Sequence, residues 1–289
     1  MNTAAVLEHF GEALPIELQS KYERLKNVIA GFNSVLIAFS GGVDSTLVAK
    51  VSLDVLGAGN VLAAIAVSPS LGLEEEKSAV DTLAQIGLAY ITVETSEVED
   101  SRYAANPLNR CYFCKEHVYG AFVSTATERG LDALIDGFNA EDTMDFRTGR
   151  KAGRELGVRS PLHEAGFSKG DVRTLARYLG LSNWNKPQMA CLSSRVEYGI
   201  QITPAILRQV DRAETALRQL GFEDLRVRHH DKAARVEIEG AMLPRAMAQR
   251  EKIIDAVKAA GYTDVTIDPE GLRHGSMNEG LKNVGQGNS

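Results

Sequence analysis

The chain has 289 residues, 44% hydrophobic and 24% charged, a globular composition that excludes a disordered, collagenous or coiled-coil chain and suits one large or two ordinary domains. Its 32 Lys and Arg against 38 Asp and Glu give a formal net charge of −6, which argues against a surface built to coat nucleic acid. There is no apolar run long enough for a membrane span and no basic-then-apolar leader, and three cysteines make a poor disulfide framework, so a cytoplasmic protein without membrane contact is expected.

In chain order, residues 1–30 read as an amphipathic helix through Leu7, Phe10, Leu18, Tyr22, Leu25, Val28 and Ile29, divided by Pro15. Residues 34–39 form a continuously apolar run ending in Ser-Gly-Gly, the pattern of a buried parallel strand, and helical spacing follows over 45–56. The grammar repeats: strand 61–67, helix 74–86, strand 90–93, helix 112–129, strand 133–136, then a capped helix at 168–179. Strands alternating with helices predict a parallel α/β sheet covered on both faces. From 203 the order becomes helix 204–220, strand 224–229, strand 234–239, helix 243–260 and strand 264–267, which predicts a small α+β domain. The expected division is 1–190, 191–280 and a polar, Gly-rich disordered tail at 281–289.

Ser40-Gly41-Gly42-Val43-Asp44-Ser45-Thr46 stands between the first strand and its helix. Glycines let the backbone approach a ligand, successive N–H groups point inward, and the helix N-terminus adds roughly half a positive charge. Such a turn binds phosphate or pyrophosphate. It lacks the Lys of a Walker loop and the three-glycine spacing of a dinucleotide fold, so γ-phosphate transfer and NAD binding are both disfavoured. The bland alternative is a βα turn whose Gly, Asp and Ser are only cap chemistry. SGGVDS resembles the SGGxDS motif of the ATP pyrophosphatases, the PP-loop family, which cleave ATP between the α and β phosphates.

Cys111 and Cys114 form Cys-Tyr-Phe-Cys at a helix start, and Cys191 lies in Ala-Cys-Leu-Ser-Ser-Arg. The pair fits zinc, an iron–sulfur cluster or a redox dithiol; His117 offers a fourth ligand for structural zinc, and unrelated buried thiols are a further alternative. In a four-iron cluster three thiolates leave one iron open to carry sulfide. An adenylating loop and a sulfur source belong together where C–O is exchanged for C–S. In the second domain Arg226 and Arg228 alternate with Leu225 and Val227 and share a strand face, with Arg235 and Glu237 on the corresponding face of the next strand. That face is either solvated or a fork of guanidiniums for phosphate or carboxylate, with Ser194 and Arg195 adding to an anion site near Cys191.

Taken together, SGGVDST, RCYFCK, DGFNAEDTMDFRTG, LSNWNKP followed by ACLSSR, and the RVR strand resemble the LarE-type sulfur transferases of nickel-pincer cofactor synthesis, over about residues 34–277. The resemblance implies a PP-loop domain of the adenine nucleotide alpha hydrolase-like kind followed by a small α+β domain. It implies ATP at Ser40, Gly41, Gly42, Asp44, Ser45 and Thr46, with Asp44 organising magnesium, and sulfur chemistry at Cys191. Contacts to a small nucleotide substrate, pyridinium-3,5-biscarboxylic acid mononucleotide, would fall to Ser194, Arg195, Arg226, Arg228 and Glu214. Some members sacrifice the sulfur of a single cysteine; others hold a 4Fe-4S cluster on three, and Cys111, Cys114 and Cys191 match the second kind. The family also implies homo-oligomers, hexamers among them.

Competing readings are a C–N bond-forming relative such as NAD synthetase, which needs an ammonia source, and a tRNA-thiolating enzyme, which needs a basic surface. A nucleotide-binding sensor is a third, and it needs neither the cysteines nor the arginine pair.

Overall fold

Pro15 cannot extend a helix through its own nitrogen, and α1 (Ile16–Ala30) starts directly after it, burying Leu18, Leu25 and Ile29. The computed structural model describes residues 14–141, 144–187 and 190–273, so Leu7, Phe10 and the tail at 281–289 lie outside the described residues. In chain order there follow β1 (Val35–Ala38), α2 (Val43–Leu56), β2 (Val61–Val67), α3 (Leu73–Ile86), β3 (Tyr90–Glu94), α4 (Ser101–Ala104), α5 (Arg110–Glu128), β4 (Ala133–Ile135), α6 (Met144–Glu155), α7 (Pro161–Glu164) and α8 (Lys169–Tyr178). The C-terminal part holds α9 (Pro204–Gln219), β5 (Leu225–His230), β6 (Ala233–Ile238), α10 (Leu243–Ala248), α11 (Arg250–Ala259) and β7 (Asp264–Ile267).

The chain divides into two units. The first comprises Met1–Val67, Glu75–Thr95 and Cys111–Met189. Its sheet runs β3-β2-β1-β4 with every pair parallel, as the alternating grammar predicts. Leu36, Ala64 and Leu134 pack with Tyr119 and Phe122 of α5 on one face. Period-two alternation sends Val35 and Ile37, both fully buried, to the other. Continuous apolar strands are what a sheet covered on both faces requires.

The second unit comprises Ser68–Glu74, Ser96–Arg110 and Ala190–Ser289. β5 pairs antiparallel with β6 across Asp231 and Lys232, Asp231 taking φ +55°, and β7 adds parallel to β6. Phe222, Leu225, Val227, Val236, Ile238, Ile253 and Val257 form its core. Two excursions from the C-terminal ends of β2 and β3 belong here, because hydrogen bonds tie them to it. Ser70 O accepts from Leu192 N (3.0 Å), Ala104 O accepts from Ile202 N (2.8 Å), and Asn106 Nδ2 donates to the carbonyls of Glu197 and Ile200. The expected single helix over 243–260 is interrupted at Gln249 (φ −107°, ψ 19°), a break that no Gly or Pro announces. α4, α6 and α7 are additions to the sequence-based expectation; Gly149 and Gly153 lower the helix propensity of α6.

Candidate active site

The Ser40–Thr46 loop joins β1 to α2 at the C-terminal end of the parallel strands. Gly41 takes φ +72°, and an added Cβ would lie 2.9 Å from that of Ala79, so both backbone conformation and space require glycine there. Gly42 caps α2 with no side-chain hydrogen bond, which leaves first-turn N–H groups to a ligand. The buried hydroxyls brace the loop: Ser45 Oγ donates to Gly42 O (3.1 Å) and accepts from Ser40 N (3.3 Å), and Thr46 Oγ1 donates to Gly42 O (2.9 Å).

Asp44 receives Asn139 Nδ2 on Oδ1 (3.0 Å) and pairs through Oδ2 with Lys169 Nζ. Lys169 opens α8, whose start is fixed by a capping box between Ser168 and Asp171. Asn139 is delivered by Gly137, where a Cβ would meet Ser45 N at 2.6 Å. Asn183 Nδ2 donates to Thr46 Oγ1 (2.9 Å) and Gly41 O (3.3 Å), and Lys186 Nζ donates to Ser78 Oγ (2.9 Å). Sequence reasoning gave none of Asn139, Lys169, Asn183 or Lys186 a role. The signal for three of them lies in the DGFN and NWNK segments.

Cys111 and Cys114 are the second and fifth residues of α5 and are half-buried; Cys191 is exposed and precedes the turn Leu192–Arg195. That turn is anchored by Leu192 N on Ser70 O and by Ser193 Oγ against Tyr103 OH (2.6 Å). Among the described residues no three His, Cys, Asp or Glu side chains form a group that could hold a metal ion.

The second unit gathers five guanidiniums against two carboxylates that are fully buried. Glu214 accepts from Arg195 (Nε to Oε1, 2.9 Å), Arg218 (3.0 Å) and Val227 N (3.1 Å). Burial pushes its carboxyl up, but Arg195 and Arg218 more than reverse this and hold it below its ordinary value. Glu237 pairs with Arg228 (2.8 Å) and Arg235 (3.3 Å). Arg228 is 6% exposed and Glu237 fully buried, whereas Arg235 on the same face is about a third exposed. Register places Arg226 opposite Glu237 and Arg228 opposite Arg235, as the alternation predicts. Arg226 makes no ion pair among the described residues; it donates to Leu225 O (2.8 Å). Burial first, and the charge of Arg195 second, lower its pKa to about 10. Ser194, whose hydroxyl donates to Cys191 O (2.7 Å), is joined by Arg195 on the same carbonyl and by Arg228 on its own. Ser194, Arg195, Glu214, Arg226 and Arg228 thus form one constellation, in which Glu214 acts on arginines rather than facing solvent.

Residues 18–108 match the NAD synthase family. Over 266 residues, 91% of this chain and 99% of the other, the chain is 42% identical to the uncharacterised protein slr1717 of Synechocystis sp.. It is 38% identical over 264 residues, 91% of this chain and 96% of the other, to pyridinium-3,5-bisthiocarboxylic acid mononucleotide synthase of Lactiplantibacillus plantarum. The chain belongs to the LarE family. Like other LarE-type proteins it is an ATP-dependent sulfur-transferring enzyme built on a PP-loop domain. Similarity to the glutamine-dependent NAD(+) synthetase of Rhodobacter capsulatus is 24% over 250 residues, 82% of this chain and 41% of that protein, in line with the NAD synthase match of residues 18–108. No helix among the described residues is long and apolar enough to cross a membrane.

Proposed function

We propose that the enzyme converts pyridinium-3,5-biscarboxylic acid mononucleotide to its thiocarboxylate form in nickel-pincer cofactor synthesis, releasing AMP and pyrophosphate. One observation carries the reading: a phosphate-cradling strand-to-helix loop occurs in the same chain as a guanidinium cluster built beside an exposed cysteine. The product named for the Lactiplantibacillus relative supports the choice of substrate.

In this reading a substrate carboxylate oxygen attacks the α-phosphorus of ATP, and the bond to the β-phosphate bridge oxygen breaks with pyrophosphate leaving. The first-turn N–H groups of α2 hold phosphate oxygens, and Lys169 supplies positive charge at the same loop. The half-buried Asp44 carboxylate is a fitting hard oxygen ligand for magnesium, which when bound neutralises phosphate charge. A sulfur nucleophile then attacks the acyl carbon, and AMP leaves with the C–O bonding electrons. Arg226 and Arg228 bind substrate phosphate or carboxylate, with Arg195 and Ser194 shaping the turn after Cys191.

For the sulfur source we propose Cys111, Cys114 and Cys191 as ligands of a 4Fe-4S cluster. Thiolate number and type support this; the described residues do not gather such a ligand set, so no step is derived through the cluster. The resemblance also supports a cytoplasmic homo-oligomer, a hexamer, with a small nucleotide as partner rather than nucleic acid or membrane.

The test is product analysis with ATP and the mononucleotide. AMP, pyrophosphate and thiocarboxylate are expected, and ADP with orthophosphate as primary products would reject the assignment. Asp44→Ala should cut AMP formation at least about tenfold while costing about 1 kcal/mol or less in stability, as loss of a partly exposed ion pair does. Iron and sulfide in anaerobically purified protein support the cluster. Loss of hydrogen sulfide at Cys191 after one turnover, or stoichiometric zinc, rejects it.

Arg226→Ala should raise the KM for the mononucleotide about tenfold, since a charged hydrogen bond contributes roughly 1.5–3 kcal/mol, and leave ATP affinity unchanged. Unaltered kinetics would remove Arg226 from the substrate site.

A further inference from the structure

Arg110 closes the 96–110 excursion of the second unit and opens α5, where the positive end of the helix dipole already disfavours a cation. It is 6% exposed. Guanidiniums buried to that depth elsewhere in the unit are each neutralised, Arg195 by Glu214 (2.9 Å) and Arg228 by Glu237 (2.8 Å), because an unpaired charge taken out of water is costly. Arg110 has no carboxylate partner among the described residues, and its side-chain acceptor is a neutral amide: Nη1 donates to Asn106 Oδ1 (2.5 Å). Nε is fully covered with no acceptor, and Nη2 also lacks one but is not fully covered.

The guanidinium is nonetheless held in one orientation. Asn106 is fully buried with φ +52°, a left-handed conformation that Asn tolerates, and its amide is fixed because Nδ2 donates to Glu197 O (2.8 Å) and Ile200 O (3.1 Å). Those carbonyls belong to the turn 197–200, which Ile200 N closes on Glu197 O (3.0 Å) and Gly199 N ties to Asn106 O (3.3 Å). The same turn carries Tyr198, whose ring centroid lies 5.0 Å from Arg110 Cζ. With Nε covered, one face on the ring and one N–H on Asn106, the edge left unfilled is the Nη1–Nη2 end. Two parallel N–H groups along that end match the two oxygens of one planar carboxylate. The turn 197–200 follows almost directly on Leu192–Arg195, and the function proposed above gives Arg110 no role.

We propose that Arg110 is an anion-binding residue of the second unit, which takes a carboxylate end-on and is separate from the Arg226–Arg228 pair. The ligand supplies the negative charge that the fold withholds. Two sources share that chemistry, a ring carboxylate of the mononucleotide and a free small carboxylate; the first rests on the function proposed above and the second does not.

The test follows the Arg110 Nε–H by NMR in full-length, metal-free protein without ATP, and needs no turnover. The probes are the mononucleotide, pyridine-3,5-dicarboxylate, which has no phosphate, and ribose 5-phosphate, which has no carboxylate. A carboxylate probe should shift the Arg110 signal, and ribose 5-phosphate should not. Arg110→Gln should weaken binding of that carboxylate probe about tenfold or more, the loss expected for charged hydrogen bonds, and leave ribose 5-phosphate affinity unchanged. A shift with the mononucleotide assigns the ring carboxylate. A shift with pyridine-3,5-dicarboxylate alone assigns the free source, which keeps the site and counts against the function proposed above. A silent Arg110 signal with both carboxylate probes, an equal shift with ribose 5-phosphate, or undiminished affinity in Arg110→Gln overturns the proposal. Turnover of the mononucleotide beside a silent Arg110 signal leaves the proposed function standing and removes only this site.

Discussion

Glu214→Gln is expected to destabilise the protein by about 3–5 kcal/mol, because removing one partner of a buried ion pair leaves the other uncompensated. Here two guanidiniums, Arg195 and Arg218, lose the negative charge that balances them, and one of the two oxygens they share with the N–H of Val227 is replaced by an NH2 donor at a position with no exposure. For a chain of this size the melting temperature should fall by roughly 10 °C. The effect depends on pH in one direction. The folded carboxyl lies below its ordinary value, so its contribution is full above the unfolded glutamate pKa and is lost as pH falls through the folded one. The gap between wild type and variant should therefore narrow on acidification. A variant with unchanged melting temperature and only a raised KM would make Glu214 a direct substrate contact instead of the acceptor that fixes Arg195.

Gly137→Ala should nearly abolish ATP turnover. The new methyl would lie 2.6 Å from Ser45 N and 2.9 Å from the Asp44 carbonyl carbon, and both are backbone at the start of α2, unable to rotate aside. The end of β4 would have to withdraw, taking Asn139 from Asp44. Displacement of about 1 Å at a reacting group costs on the order of a hundredfold in rate, so AMP formation should drop by that factor. Overpacking typically destabilises by about 1–3 kcal/mol, leaving the variant folded. Near-normal AMP release from Gly137→Ala would show that the loop does not depend on this close approach.

The sequence by itself determined what contiguous residues build. The Ser40–Thr46 cradle is legible because its glycines, its apolar strand and its helix start are neighbours in the chain, and the forces that shape it are local: φ above zero at Gly41 and a helix start at Gly42 with no side-chain cap. The shared face of Arg226 and Arg228 is legible for the same reason, since strand alternation has period two. The parallel sheet followed from strands alternating with helices.

Tertiary structure decided how the two arginines differ. Alternation makes them equivalent and register sets Arg226 opposite Glu237, yet the Glu237 carboxylate reaches diagonally to Arg228, and Arg226 has no carboxylate among the described residues. It also made Glu214 the acceptor of a buried network. Lys169, Asn139 and Asn183 reach the phosphate loop from roughly 95 to 140 positions away in sequence. No periodicity carries that information: pairing of β4 with β1 and packing of α8 against α2 bring them there, and close approach at Gly137 makes the room.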